Sequence, residues 1–552
     1  MASAGDSGTG TFAPLREATF RRIWSASLIS NFGHLIFGVA AAWEMTRLTN
    51  SAEMVALVQS ALMLPLMLVS VPAGAVADMF DRRKIAMTGL AFSMASAAFL
   101  TVIALAGGVT PWLLLAFCVL IGAGVALYSP AWQASISEQV PPGQIPAAIA
   151  LGTISYNIAR SCGPAVGGAI VLAAGAQVAF GMNALFYAPL FVAFLMWRRK
   201  HVPARLPPER IDRAIVSGAR YALHAPLVRN IIVRACLFGM ASAASSALAA
   251  LVARDLLGGD AAVFGILLGA GGTGAVTGAL LVSRVRARLK PDLAVGICFV
   301  ITAGAVALIG SSHSLALTSA GMFIAGATNI LVIALFNVGV QLSVPRWVVA
   351  RALSLFSAAL TGGIALGSWV WGVLAAQFGV AEAFYISAAF ILSLPCLALV
   401  LPMRAAGHAD IELSPLEDNL EVALGISQRS GPITIEIDYN VDPDHAREFY
   451  DVMRRMQRAR QRRGCFNWSL SRDIGNASLW TERYQCATWG DYLHQRSRFT
   501  QADKVLQAEA DAFHHGDKEI RVRRRLERPF GSVRWKADSP DPRQDNVDYI
   551  GP

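Results

Sequence analysis

Arg160 stands near the middle of an apolar stretch covering about residues 145–174. A charge at that depth in a membrane is costly enough that it faces a cavity, a partner or a water-filled path. Asn157, Arg160, Pro164 and Gly167 follow one another at three- and four-residue steps, so they share one helical face. That face can hold an anionic substrate, balance a carboxylate supplied from elsewhere, or donate to backbone carbonyls. Asn31, His34 and Gly38 share a face of the first apolar stretch, and Asn329 is central in the tenth. A histidine so placed can relay a proton or merely pack. Glu44 has Arg47 three residues on, near the end of its stretch, and reads as a local ion pair. No carboxylate is unambiguously central. Neither metal-ligand spacing nor a phosphate-cradling glycine loop occurs, so no catalytic residue, cofactor or metal is expected.

The elements that must position these residues are membrane spans. The chain has 552 residues, 55% of them hydrophobic and 15% charged, with mean hydropathy +0.48. Twelve apolar stretches, each able to cross about 30 Å of hydrocarbon as a helix, lie near 21–47, 53–78, 84–107, 111–139, 145–174 and 177–198, then 226–254, 262–284, 291–311, 314–343, 349–377 and 380–402. With the N-terminus inside, sixteen Lys and Arg residues fall in inner loops and two, Arg47 and Arg254, in outer ones. This positive-inside bias predicts both termini in the cytoplasm, and it accounts for much of the +10 net charge without nucleic acid. Residues 1–19 are polar and the first apolar run is too long for a signal h-region, so a retained span is expected. The seven cysteines form no close CxxC pair and predict no disulfide framework.

A shift of 204 residues brings Gly74 onto Gly278, Gly122 onto Gly326, Gly163 onto Gly367 and Gly168 onto Gly372. Such a repeat in apolar sequence predicts two six-helix bundles around a central path. The expected organisation is a cytoplasmic tail (1–19), a first bundle (20–200), a linker (201–225), a second bundle (226–403), a polar tether (404–430), a soluble domain (431–530) and a disordered tail (531–552). The polar positions do not repeat: Arg160 maps to Ile364, Asp78 to Val282, Pro164 to Ser368 and His34 to Phe238. The chemistry is therefore expected in the first half.

Between the second and third spans, Gly74, Asp78, Asp81, Arg82, Arg83 and Lys84 resemble the cytoplasmic loop signature of the major facilitator superfamily. There Asp78 would latch onto a helix N-terminus of the other bundle and the basic cluster would anchor the inner leaflet. Met79 and Asp81 depart from the family pattern, which has a basic residue and a glycine at these places. In the fifth span Gly163, Pro164, Gly167 and Gly168 resemble the GPxxGG motif of exporters in that superfamily, with Ala159 where a further glycine is usual. Proline removes a backbone bond and glycine removes bulk, giving a bendable, closely packed helix. With Thr19–Trp24, Tyr128–Ala131 and Asn157–Arg160, the chain resembles the enterobactin-exporter-like branch, or transmembrane secretion effectors. The resemblance implies a multi-pass protein of the bacterial inner membrane, energised by protons.

Beyond the spans, Ile433, Ile435, Ile437, Tyr439 and Val441 alternate with polar residues as a half-buried strand does. A helix after Pro443, strands near Phe466–Arg472 and Leu479–Cys486, a helix over about Trp489–Phe513 and a strand around Ile520–Leu526 complete a βαββαβ order. That is the ferredoxin-like arrangement. Arg462, Arg463, Gly464, Trp468, Asp473, Glu482 and Trp489 resemble the dimeric α/β-barrel modules related to antibiotic-biosynthesis monooxygenases, which implies a homodimer through residues 431–530. The expected fold class is an all-α membrane protein of twelve helices with a C-terminal α+β domain. The expected function is secondary active export of a siderophore, drug or other small molecule. Uptake, or a transporter fused to a cofactor-free monooxygenase-like domain, are the alternatives.

Overall fold

The computed structural model describes residues 12–79, 81–141, 144–197, 225–344, 349–403 and, with short gaps, 422–527. The linker up to residue 224, most of the tether, the tail from 528 on, and the side chains of Gly74 and Asp78 lie outside the described residues. Two compact units result, the first of Met1–Ile215, Asn230–Gly339 and Ser354–Met403, the second of Val216–Arg229, Val340–Leu353 and Arg404–Pro552.

The membrane helices are α1 (Ala18–Leu48), α2 (Ala52–Met79), α3 (Arg82–Leu105), α4 (Pro111–Gln139), α5 (Ile145–Ala174) and α6 (Ala176–Met196). After the linker come α7 (Pro226–Leu256), α8 (Ala261–Arg288), α9 (Pro291–Ser311), α10 (Leu315–Gln341), α11 (Val349–Phe378) and α12 (Val380–Val400). Their starts are chemically marked. Asp81 accepts from the Arg83 N–H at 3.0 Å, Asp260 accepts from Ala262 and Val263, and Pro111 and Pro291 occupy first-turn positions whose missing N–H costs nothing. α7 is irregular: its regular part ends at Ala247 and residues Val252–Leu256 form a π-helical turn.

Among the described residues, eleven of these helices are long and apolar enough to cross a membrane. The twelfth, α5, has 30 residues and packs against α1 and α8. It carries Asn157 and Arg160 in its middle. Since the helices alternate in direction, their ends make two faces. One, the basic face, holds Arg82–Lys84, Arg284, Arg286, Arg288 and Lys290; the far face holds the ends of α1, α5, α7 and α11.

The repeat is legible in backbone geometry. Gly175 (φ 83°) and Gly379 (φ 103°), 204 residues apart, turn α5 into α6 and α11 into α12. Only glycine takes such φ values without strain. A Cβ at Gly163 would touch Leu35 of α1, and one at Gly367 would run into Met240 of α7, so corresponding helices approach closely in each bundle.

In the soluble unit β1 (Ile433–Asn440), α13 (Ala446–Arg462), β2 (Phe466–Arg472), β3 (Leu479–Cys486), α14 (Trp489–Ser497), α15 (Gln501–Asp511) and β4 (Arg521–Leu526) build a sheet of order β2-β3-β1-β4. All pairings are antiparallel. Ile433, Ile435, Ile437 and Tyr439 face Phe449, Val452, Met453 and Met456 in one core. The single helix expected over Trp489–Phe513 is two, because Thr500 and Asp503 form a reciprocal capping box that starts α15 afresh. Under the core, Arg460 makes a bidentate pair with Glu482 (3.1 and 3.2 Å), which also accepts from the Trp468 indole at 2.9 Å. The other sheet face is polar: Glu436 and Asp438 pair with Arg523, and Glu436 also with Arg525. Although no CxxC pair exists, the fold brings Cys465 and Cys486 to 3.8 Å across β2 and β3.

Candidate transport site

The site is built where α5 meets its neighbours. Gly163 and Gly167 lie against Phe32, Leu35, Ile36 and Val39 of α1, inside the first bundle. The other edge of α5 meets the second bundle. A Cβ at Gly168 would stand 2.4 Å from the Ala261 carbonyl oxygen of α8, and one at Gly265 would stand 2.7 Å from that of Pro164. Further along, a Cβ at Gly272 would stand 2.4 Å from the Arg160 carbonyl oxygen. The export-like motif is therefore half of a two-sided joint, with Gly265, Gly269 and Gly272 of α8 as its counterpart. That α8 series is legible in the sequence as glycine spacing, which does not say which helix it meets.

A second joint, related to the first by the repeat, joins α11 to α2. Gly372 packs on Ala52, Glu53 and Ala56, Gly362 packs on Met67, and the Ser60 hydroxyl donates to the Ala365 carbonyl at 2.6 Å. Both joints run from mid-span toward the far face.

Arg160 is half-buried at the inner end of the first joint. Among the described residues its guanidinium has no ion pair or hydrogen bond, so no carboxylate there balances it. Asn157, on the same face, is also half-buried. Asn31 donates to the Ser155 hydroxyl of α5 at 3.4 Å, and Leu35 touches Gly163, so Asn31 and His34 sit at the level of Arg160 on the neighbouring helix. The His34 Nδ1 is buried with no hydrogen-bond partner among the described residues. Asn329 belongs to the second bundle, where its Oδ1 is also buried with no partner among the described residues. The structure thus brings Asn31, His34, Asn157 and Arg160 to two adjoining helices of the first bundle, while Asn329 belongs to α10 of the second.

The loop residues have distinct structural tasks. Asp81 caps α3, Arg82 pairs with Glu138 at 3.0 Å and donates to the Ala134 carbonyl, and Arg83 donates to the Leu195 carbonyl at the end of α6. They tie three helices of the first bundle together. Glu44 and Arg47 form the expected local pair at 3.2 Å.

One buried charge escaped the sequence reading. Arg234 of α7, 2% exposed, donates to Asp292 in the first turn of α9 and to the Leu401 carbonyl, and lies over the Phe336 ring at 5.8 Å. The other Asp292 oxygen accepts from the Met403 N–H at 3.0 Å, while Asn230 holds the Pro402 carbonyl. This cluster fixes the end of α12 where the chain leaves the membrane unit. An arginine nine positions into an apolar span was the available signal.

The family described as transmembrane secretion effector matches residues 9–530. An uncharacterised MFS-type transporter, YfiS of Bacillus subtilis, is 25% identical, over 61% of this chain and 82% of its own length. The multidrug efflux pump Tap of Mycobacterium tuberculosis is 27% identical over 37% of this chain, which spans about half (51%) of Tap. The staphyloferrin A transporter of Staphylococcus aureus is 24% identical over 48% of this chain and 66% of its own. Among solved structures, a bacterial homologue of the human lysosomal transporter Spinster superposes with TM-score 0.57 at 14% identity, covering 70% of this chain and 96% of that one. These likenesses, with the two bundles joined through α5 and α8, identify a transporter rather than an enzyme: the chain belongs to the transmembrane secretion effector family of the major facilitator superfamily.

Proposed function

We propose that this protein exports a small amphipathic or anionic molecule by alternating access, in exchange for protons, with its basic face and both termini in the cytoplasm. One observation carries the reading: a half-buried guanidinium, Arg160, sits mid-span beside the joint between the bundles and has no counter-charge among the described residues. A substrate anion would supply one. The names of two relatives, a multidrug efflux pump and a siderophore transporter, agree with small-molecule traffic of this kind. The basic residues gathered on one face support its cytoplasmic placement. Both joints close the far face, so the described state would open inward. His34, buried at the level of Arg160, is the residue we assign to the proton, with Asn31 beside it. At the end of α2 we assign Gly74 and Asp78 to the gate.

The soluble unit serves this transporter as a dimeriser or sensor. Among the described residues its helices pack on one face of the sheet, and it resembles modules that pair through the other. The polar lining of that face fits a hydrated interface.

Binding of a fluorescein-type anionic dye to the purified protein tests the site. A charge-assisted hydrogen bond is worth about 1.5–3 kcal/mol, so Arg160→Ala should weaken binding roughly ten-fold or more. Arg160→Lys should retain part of it, and thermal unfolding should be unchanged in both. Equal affinity in Arg160→Ala would remove Arg160 from the path.

A further inference from the structure

We infer that Arg254, Trp369 and Glu53 are gating residues that latch the far face shut. The inference rests on the alternating-access reading but not on the direction of transport. All three act between the bundles. Arg254 projects from the π-helical turn of α7, and its Nη1 donates to the Thr46 carbonyl oxygen at 3.1 Å. Thr46 lies in the last turn of α1, where helix carbonyls lack intrahelical donors and the macrodipole favours a cation. Arg254 thus caps a helix of the opposite bundle. Asp255 holds the guanidinium in place through two bonds, Nε to Oδ1 at 2.5 Å and Nη2 to Oδ2 at 3.1 Å.

Beside this cap, Trp43 of α1 stacks on Phe264 of α8, ring centroids 6.2 Å apart and 22° from parallel. Across the same face, the Trp369 indole N–H of α11 donates to Glu53 Oε1 at 3.1 Å, and Glu53 sits in the first turn of α2, where an acid is favoured. Opening the far face would separate α1 from α7 and α8, and α2 from α11. Each contact must then break, uncapping α1. Single π-helical turns inside α-helices occur frequently at functional sites. Here it carries the side chain that reaches the backbone of α1 on the other bundle.

The test uses the full chain in a cysteine-free background with an Ala261→Cys reporter. Ala261 is 2% exposed and lies under Gly168 in the far-face joint. A membrane-impermeant maleimide added from the far side should label the reporter at least five-fold faster in Arg254→Ala than in the parent. Trp369→Phe, which removes the N–H donor together with the fused five-membered ring, should act likewise, and the double variant should exceed both. Glu53→Gln keeps the acceptor oxygen and should label as the parent does. Should Arg254→Ala fail to fold, as judged by its elution profile, Trp369→Phe decides alone. Unchanged labelling in Trp369→Phe and in any folded Arg254→Ala would overturn the latch, whichever way substrate moves.

Discussion

Gly168→Ala should shift the transporter toward the state open at the far face. The added methyl would stand 2.4 Å from the Ala261 carbonyl oxygen and 3.0 Å from the Gly265 Cα. These are backbone atoms of α8 and cannot swing aside as a side chain end could. Overpacking of this kind costs about 1–3 kcal/mol. The cost falls only on the state in which α5 and α8 touch at that end, so the equilibrium should move about 5- to 150-fold. Spin labels at Gly108 and Ser314, exposed on the far-face turns of the two bundles, would report it as growth of a longer-distance population. Two controls separate a population shift from general damage. Gly278→Ala places a methyl 2.1 Å from the Ala327 carbonyl within the second bundle, so it should lower thermal stability without changing the distances. Gly38→Ala meets nothing within 4 Å and should change neither. If Gly168→Ala lowered stability as Gly278→Ala does and left the distances alone, the joint would be static packing.

Arg234→Met should strand Asp292 without its partner, and breaking a buried pair costs about 3–5 kcal/mol. Asp292 is 30% exposed, so the lower end is expected, read as a lower unfolding temperature of the purified protein. Adding Asp292→Leu should recover most of the loss; no recovery would show that the pair itself is not what the site depends on. In the soluble unit, burial raises the pKa of Asp511 above its ordinary value, partly offset by the hydrogen bond from Gln507. The folded form therefore favours the protonated acid. Stability from this group is present at low pH and lost as pH rises from the unfolded value, about 3.9, through the folded one. Asp511→Asn should raise the unfolding temperature of this unit near neutral pH, and the gain should vanish toward acid. A loss at neutral pH would contradict the sign.

The span count, the repeat and the order of strands could be read from the sequence because each rests on local pattern. Apolar length marks the spans, glycine spacing marks close helix contact, and alternation at Ile433–Val441 marks a strand with one wet face. The capping box at Thr500 was equally local but lay inside a longer helical pattern that hid it. What could not be read was pairing across distance. Nothing near Arg234 in the chain announces Asp292, 58 positions away, and the backbone partner of Arg254, Thr46, leaves no residue signature at all. Arg160 was found because its cost is intrinsic. The glycines of α8 that face it were not, because glycine alone does not say which helix it meets.

The export claim is tested most directly by substrate flux in everted membrane vesicles, using anionic amphipathic dyes and carboxylate siderophores as probes. On energisation, vesicles bearing the protein should accumulate at least one of these, a proton uncoupler should abolish the accumulation, and Arg160→Ala vesicles of equal protein content should not accumulate it. Accumulation in right-side-out vesicles instead, or equal accumulation by Arg160→Ala, would contradict export through this site.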